Sequence, residues 1–69
     1  MSTTDGTASP LKAARKLRGL TQAELAREVE VSRQTVVAME RGDYAPSVYL
    51  ALRTARALET TVEKLFPLE

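Results

Sequence analysis

The chain contains no cysteine and no histidine among its 69 residues. Without cysteine it can form neither a disulfide framework nor a thiolate metal site, and without histidine it lacks a common metal ligand and the usual general base. No apolar run approaches the roughly 20 residues that span a bilayer, and the N-terminus has no apolar segment of the signal-peptide type. We therefore expect a cytoplasmic protein that is not an enzyme, has no membrane partner and needs no metal or cofactor.

Aromatic residues and net charge are also scarce. The chain has one phenylalanine, two tyrosines, no tryptophan and a net charge of +1. A chain this short forms one domain with a small core, and oligomerisation often adds to its stability. Residues 1–41 hold seven Lys or Arg against five Asp or Glu, whereas residues 42–69 hold three against four. This modest basic excess is compatible with nucleic-acid binding but does not establish it.

Capping signals divide the chain into helices. Residues 1–8 are polar and aperiodic, which predicts a disordered tail before a folded domain over residues 9–69. Hydroxyl residues that precede apolar periodicity mark each helix start, and glycine or proline marks most ends. The sequence thus predicts an all-α fold, a compact bundle of five helices, with these approximate bounds: Pro10–Arg18, Gln22–Val29, Arg33–Arg41, Val48–Leu58, and a short helix opened by a Thr60/Glu63 capping box and ending at Leu65-Phe66.

Helical periodicity also predicts which residues form the core. The inward-facing positions are Leu11, Ala14, Leu17, Ala23, Leu25, Ala26, Val29, Val36, Met39, Ala51, Thr54, Ala55 and Leu58. Thr54 is the polar exception, and we expect its hydroxyl to bond back to the carbonyl of Leu50.

The most informative stretch is Thr21 to Glu40. Thr21 and Glu24 have the spacing of a capping box, and Ser32 is placed to cap a second helix after a short connection. Two short helices joined in this way have the sequence form of a helix-turn-helix, whose second helix enters the major groove of DNA.

Several motifs extend beyond those two helices. They are RGLTQAELA, then VSRQTV, then ERG, and finally PS before a further helix. With them the chain resembles the phage repressor/Cro type of helix-turn-helix protein, the Xre family, from about Leu11 to Phe66. The matching residues are Arg15, Gly19, Leu20, Thr21, Gln22, Leu25, Ala26, Val31, Ser32, Gln34, Val36, Glu40, Gly42, Pro46 and Ser47. The resemblance implies a lambda repressor-like fold. Glu30 departs from the family, which usually has glycine at positive φ in the turn.

The resemblance implies that the second helix of the motif reads bases. Arg33 is suited to guanine and Gln34 to adenine. Val37 and Ala38 can offer only apolar contacts, for example to a thymine methyl group. Arg33 is equally suited to a phosphate, and all four residues could instead form a solvated helix face.

Phosphate contacts are implied at both ends of the motif, by Gln22 and Ser32 at one end and by Arg41 and Tyr44 at the other. Such contacts set the register of the protein without choosing the sequence. The alternatives are that Ser32 is only a cap, that Gln22 is an ordinary polar residue and that Tyr44 lies over the core edge.

The resemblance also implies a partly buried ion pair between Arg15 and Glu40. The alternative is two exposed charges that contribute little to stability.

A C-terminal apolar cluster has two interpretations: a helix that closes the core, or a homodimer interface. Its residues are Val62, Leu65, Phe66 and Leu68, with Leu52 as a possible addition. The predicted function is a DNA-binding transcriptional regulator, a repressor acting as a homodimer on a near-palindromic operator of double-stranded DNA. The alternative is an antitoxin or co-activator-like module that uses the same fold to bind a protein partner.

Overall fold

The computed structural model describes residues 9–68, so the predicted tail over residues 1–8 lies outside the described residues. Within them the regular structure is entirely helical, which confirms the all-α prediction. The five helices are α1 (Pro10–Leu17), α2 (Gln22–Val29), α3 (Arg33–Arg41), α4 (Val48–Ala57) and α5 (Val62–Leu65). None of these helices is long and apolar enough to cross a membrane.

A hydroxyl side chain caps the start of each helix. The Ser9 hydroxyl accepts from the backbone N–H of Lys12 at 3.2 Å, and Pro10 occupies the first turn, where its missing N–H costs nothing. Thr21 and Glu24 form the predicted capping box, with reciprocal bonds of 3.0 and 2.8 Å between side chains and backbone N–H groups. These caps satisfy N–H groups that have no partner within the helix.

The start of α5 was predicted incorrectly. Its cap is Thr61, whose hydroxyl accepts from the N–H of Lys64 at 3.2 Å. Thr60 does not cap α5, because its own N–H bonds to the carbonyl of Ala55 at 2.9 Å and so completes the end of α4. The two adjacent threonines made the sequence pattern ambiguous by one residue.

Four helix ends place a residue in the left-handed region of φ. These are Gly19, Glu30, Gly42 and Glu59, with φ of 74°, 64°, 80° and 57°. At each of them the next residue donates its N–H five residues back, as Val31 does to the carbonyl of Ala26 at 3.0 Å. Glu30 therefore has the conformation that favours glycine, at a cost of about 1 kcal/mol. The left-handed Glu59 was not anticipated.

One apolar core lies between the helices. Its fully buried or nearly buried members are Leu11, Leu25, Ala26, Val29, Val36, Met39, Leu50, Ala55, Leu58 and Leu65. Thr54 is completely buried, and its hydroxyl donates to the carbonyl of Leu50 at 2.7 Å, as predicted.

Two predicted core residues lie at the surface. Leu17 is 89% exposed and Ala23 is exposed. In α1 the buried face is formed by Leu11 and Arg15. Leu17 lies two residues beyond Arg15, roughly 200° around the helix, and therefore faces away from the core.

Candidate nucleic-acid interface

The α2–α3 pair forms a helix-turn-helix in the described structure. The turn runs from the left-handed Glu30 to the cap Ser32, whose hydroxyl accepts from the N–H of Thr35 at 3.1 Å. Val36 and Met39 anchor α3 to the core. The remaining side of α3 is consequently free to meet a ligand.

The outer face of α3 is centred on Gln34. At about 100° per residue, Gln34 lies opposite the buried pair Val36 and Met39. Val37 and Ala38 lie about 60° and 40° to either side of Gln34, and both are half-buried. The face therefore has one amide between two small apolar side chains.

A polar network joins α1, α2 and α3 behind this face. Arg15 donates through Nε and Nη2 to the two carboxylate oxygens of Glu40, and through Nη1 to the carbonyl of Leu20 at 2.8 Å. The side chain of Arg15 is only 8% exposed, and that of Glu40 only 4%. The structure thus brings Arg15 and Glu40 together in a nearly buried ion pair that joins the first helix to the end of α3.

Gln22 extends this network towards the surface. Its Nε2 donates to Oε1 of Glu40 at 3.1 Å, and its Oε1 accepts from Nη2 of Arg33 at 3.0 Å. If the amide of Gln22 were flipped, its nitrogen would face the donor of Arg33 and its oxygen would face the acceptor of Glu40. The network therefore defines the orientation of Gln22. An amide nitrogen has two N–H groups. One is used by Glu40, and the second remains for a ligand such as a phosphate oxygen.

Arg33 is therefore held beside Gln22. Its side chain lies on the edge of α3 that faces α2, about 100° from Gln34. The sequence suggested a base contact or a phosphate contact for Arg33 with equal weight. The contact with Gln22 brings Arg33 beside the predicted phosphate-binding residue of α2.

The other end of the motif carries mixed charge. Nε of Arg41 lies 3.5 Å from a carboxylate oxygen of Asp43, and both side chains are well exposed. An exposed pair at this distance contributes little and separates readily. Tyr44 is 46% exposed. The pairing of Asp43 with Arg41 was not predicted, although an acidic residue two positions after a basic residue is visible in the sequence.

The helix N-termini differ in charge. Glu24 lies in the first turn of α2, whereas the first turns of α3 and α4 carry no acidic residue. The positive ends of α3 and α4 are therefore not offset by a carboxylate within the helix.

The hydroxyls of Ser32 and Thr35 lie 3.0 Å apart, so Ser32 has a partner besides its capping bond. Thr35 was not identified from the sequence.

The predicted dimer residues do not share one environment. Leu65 is only 3% exposed and belongs to the core, so its assignment to an interface is wrong: it has no surface to offer. Val62 and Phe66 are half-buried and pack against the core. By contrast, Leu52 and Leu68 are 53% and 98% exposed.

The exposed apolar surface of α4 is larger than the sequence suggested. Val48 and Tyr49 are 74% and 77% exposed on the same helix as Leu52. Tyr49 lies on the side of α4 away from the buried Ala51 and Ala55, and Leu52 lies about 60° from it around the helix. Val48 is exposed because it is the first residue of the helix. Placing every residue of α4 by helical period would have revealed Tyr49 beside Leu52 but not the exposure of Val48.

A comparison with protein families agrees with this architecture. The helix-turn-helix family model matches residues 11–65, most of the chain. The chain belongs to the helix-turn-helix family. This assignment confirms the Xre-type resemblance and the lambda repressor-like fold that were predicted from the sequence.

Curated relatives have the same description. An HTH-type transcriptional regulator of Methanothermobacter thermautotrophicus is 54% identical over 56 residues, which cover 80% of this chain and 81% of the relative. The regulator MJ0272 of Methanocaldococcus jannaschii is 45% identical over 56 residues, covering 81% and 85%. The regulator YgzD of Bacillus subtilis is 47% identical over 51 residues, covering 74% and 77%. This helix-turn-helix protein thus belongs with the DNA-binding transcriptional regulators.

Proposed function

We propose that this helix-turn-helix protein binds a near-palindromic site in double-stranded DNA as a homodimer, and that the bound dimer represses transcription by occluding a promoter. The main support is the polar network of Arg15, Glu40, Gln22 and Arg33, in which the pair of Arg15 and Glu40 is nearly buried. It fixes α3 against α1 and α2 and leaves the opposite face of α3 for a ligand. A rigid recognition element requires side chains held by such supporting contacts.

Within this proposal, α3 reads bases and the helix ends hold phosphates. Base contacts come from Gln34, Val37 and Ala38, with Arg33 at their edge beside Gln22. Phosphate contacts come from Gln22, Ser32, Arg41 and Tyr44. Phosphates fix the register, and base edges determine the preferred sequence.

The test of DNA binding is a titration of random-sequence duplexes by fluorescence anisotropy at several salt concentrations. Each ionic phosphate contact adds about 0.9 to the slope of log affinity against log salt. Arg41→Ala should reduce the slope by about one unit. Arg27→Ala is the matched control, because Arg27 is exposed in the last turn of α2, at the opposite end from Gln22. Absence of binding at low salt would favour the protein-partner function instead.

Dimerisation is proposed because one recognition helix reads too few base pairs to select a site in a genome. Two-fold pairing doubles the readout and places half-sites about 34 Å apart. The exposed apolar face of α4, formed by Val48, Tyr49 and Leu52, supports a contact there, together with Leu68. Phe66 and Val62 would contribute only their exposed edges.

Sedimentation equilibrium with and without DNA tests the dimer. Leu52→Glu should shift the protein towards monomer and weaken DNA binding, since a charge would be buried in the contact. Leu17→Glu is the matched control, because Leu17 is an even more exposed leucine on α1. Wild-type protein that remains monomeric at high micromolar concentration, free and DNA-bound, contradicts the dimer.

A further inference from the structure

We infer that α3 recognises the 5-methyl groups of pyrimidines in its DNA site, which Val37 and Ala38 contact on either side of one amide contact from Gln34. This inference rests on the proposed DNA-binding function and specifies the chemistry that the site recognises. The ligand class is a major-groove edge that carries C5-methyl groups.

Most polar side chains of α3 have hydrogen-bond partners within the described residues. Arg33 donates one of its N–H groups to Gln22 at the edge of α3, and Glu40 is bonded to both Arg15 and Gln22. The Thr35 hydroxyl lies 3.0 Å from that of Ser32.

Two polar side chains of α3 remain. Arg41 is the last residue of the helix and lies beside Asp43. Gln34 makes no side-chain hydrogen bond with any residue of 9–68, and it is at the centre of the outer face. It is therefore the polar group of α3 best placed for a base edge.

Gln34 has two apolar neighbours on the outer face of α3. Val37 and Ala38 are one helical turn further along, and both are half-buried, so their methyl groups form a shallow surface with little freedom to move. Neither side chain can donate or accept a hydrogen bond. Against a base edge in the major groove, they can discriminate only by apolar contact, and the C5-methyl of thymine is the apolar group found there.

These observations predict the composition of the half-site. A glutamine amide pairs with N6 and N7 of adenine. Contacts on either side of it should favour thymine over cytosine. A cytosine methylated at C5 presents its methyl at the same position of the pyrimidine ring and should be accepted better than unmodified cytosine.

The first step is to select the tightest-binding duplex from a random-sequence pool synthesised with thymine. The same duplex is then synthesised with uracil in place of every thymine, which removes the methyl groups and keeps the Watson–Crick pairing. Burial of one methyl-sized group corresponds to about fourfold in affinity. We expect the ratio of the two dissociation constants to be about four for one contacted methyl and about sixteen for two.

Variants separate a direct contact from an effect of the methyl groups on DNA shape. Val37→Ser and Ala38→Gly should each lower the uracil-to-thymine ratio. Gln34→Ala should lower affinity for both duplexes and leave the ratio unchanged. Each ratio compares the dissociation constants of two duplexes for the same protein. A lower folding stability of a variant changes both constants equally and therefore cancels in the ratio. Val37→Thr keeps the β-branched shape and replaces Val37→Ser if that variant does not fold.

The possible outcomes are distinct. A wild-type ratio near one, with tight binding to both duplexes, overturns the methyl readout and leaves the proposed DNA binding intact. A high ratio that persists in Val37→Ser and Ala38→Gly also overturns it, because the methyl effect then does not pass through these side chains. If the wild-type protein binds no duplex from the pool, the proposed function fails, and the methyl readout fails with it.

Discussion

Replacement of Arg15 by methionine should destabilise the protein severely. Arg15 makes three hydrogen bonds, two to Glu40 and one to the carbonyl of Leu20. Without it the Glu40 carboxylate, whose side chain is 4% exposed, would keep only the bond from Gln22. Removal of one partner from a buried ion pair costs about 3–5 kcal/mol. A chain of this length has about 3–10 kcal/mol of total stability, so we expect the variant to be marginally folded or unfolded at 25 °C.

Urea unfolding followed by far-ultraviolet circular dichroism measures this cost. The double variant Arg15→Met/Glu40→Met removes both charges and should recover much of the stability, because apolar pairs often replace buried ion pairs at little cost. The double-mutant cycle, completed by Glu40→Met alone, should give a coupling energy above about 3 kcal/mol, because each single variant leaves one buried charge without its partner and the double variant leaves none. Arg41→Met is the control. Its pair with Asp43 is exposed and should contribute at most about 1 kcal/mol.

The cycle also distinguishes folding from positioning. In the folded double variant, Gln22 lacks its acceptor on Glu40. We therefore expect DNA binding weaker than that of the wild-type protein, although the helices are formed. A loss of less than about 1 kcal/mol for Arg15→Met would contradict this prediction, because the pair would then behave as a surface ion pair. Full DNA affinity in the double variant would show that the network does not position Gln22.

Three further predictions concern single positions. Glu30→Gly should leave the thermal midpoint unchanged or raise it, because relief of about 1 kcal/mol of left-handed strain is offset by the greater freedom of glycine in the unfolded chain; a clear fall would mean that Glu30 makes a stabilising contact. Thr61→Ala should lower the stability to urea by about 1 kcal/mol through loss of a cap, and Thr60→Ala by less; the reverse order would restore the original capping assignment. Gln34→Ala should relax sequence preference at one operator position by about 1–3 kcal/mol, whereas Arg41→Ala should weaken binding to all sequences alike; identical behaviour across a panel of operator mutants would contradict these roles.

Helix bounds were predictable from the sequence because their causes are local. A cap and the N–H that it accepts are three residues apart, as for Ser32 and Thr35. The left-handed Glu30 was expected because the family resemblance supplied the backbone conformation. The same local reasoning failed at Thr60 and Thr61, where two adjacent residues had the same chemistry and only the path of the backbone separates them.

Burial was less predictable where a helix has apolar residues on more than one side. Leu17 continued the apolar spacing of α1, but the inward position is occupied by Arg15. Likewise, Leu65 and Phe66 are adjacent and equally apolar in the sequence. The short α5 turns Leu65 into the core and leaves Phe66 half-buried at its edge. Periodicity gives the width of an apolar face, whereas packing against the neighbouring helices selects the residues that fill it.

The contacts of Gln22 show what periodicity cannot supply. Its partners Glu40 and Arg33 are 18 and 11 residues away, on a different helix. The family resemblance implied the pair of Arg15 and Glu40 but not the bond from Arg33 to Gln22, which depends on how α3 crosses α2 in this chain. That bond changes the expected chemistry of recognition. With Arg33 bonded at the edge of α3, the outer face of that helix has one amide between two apolar side chains. Sensitivity to pyrimidine methyl groups is therefore the property that most directly tests the proposed recognition of DNA.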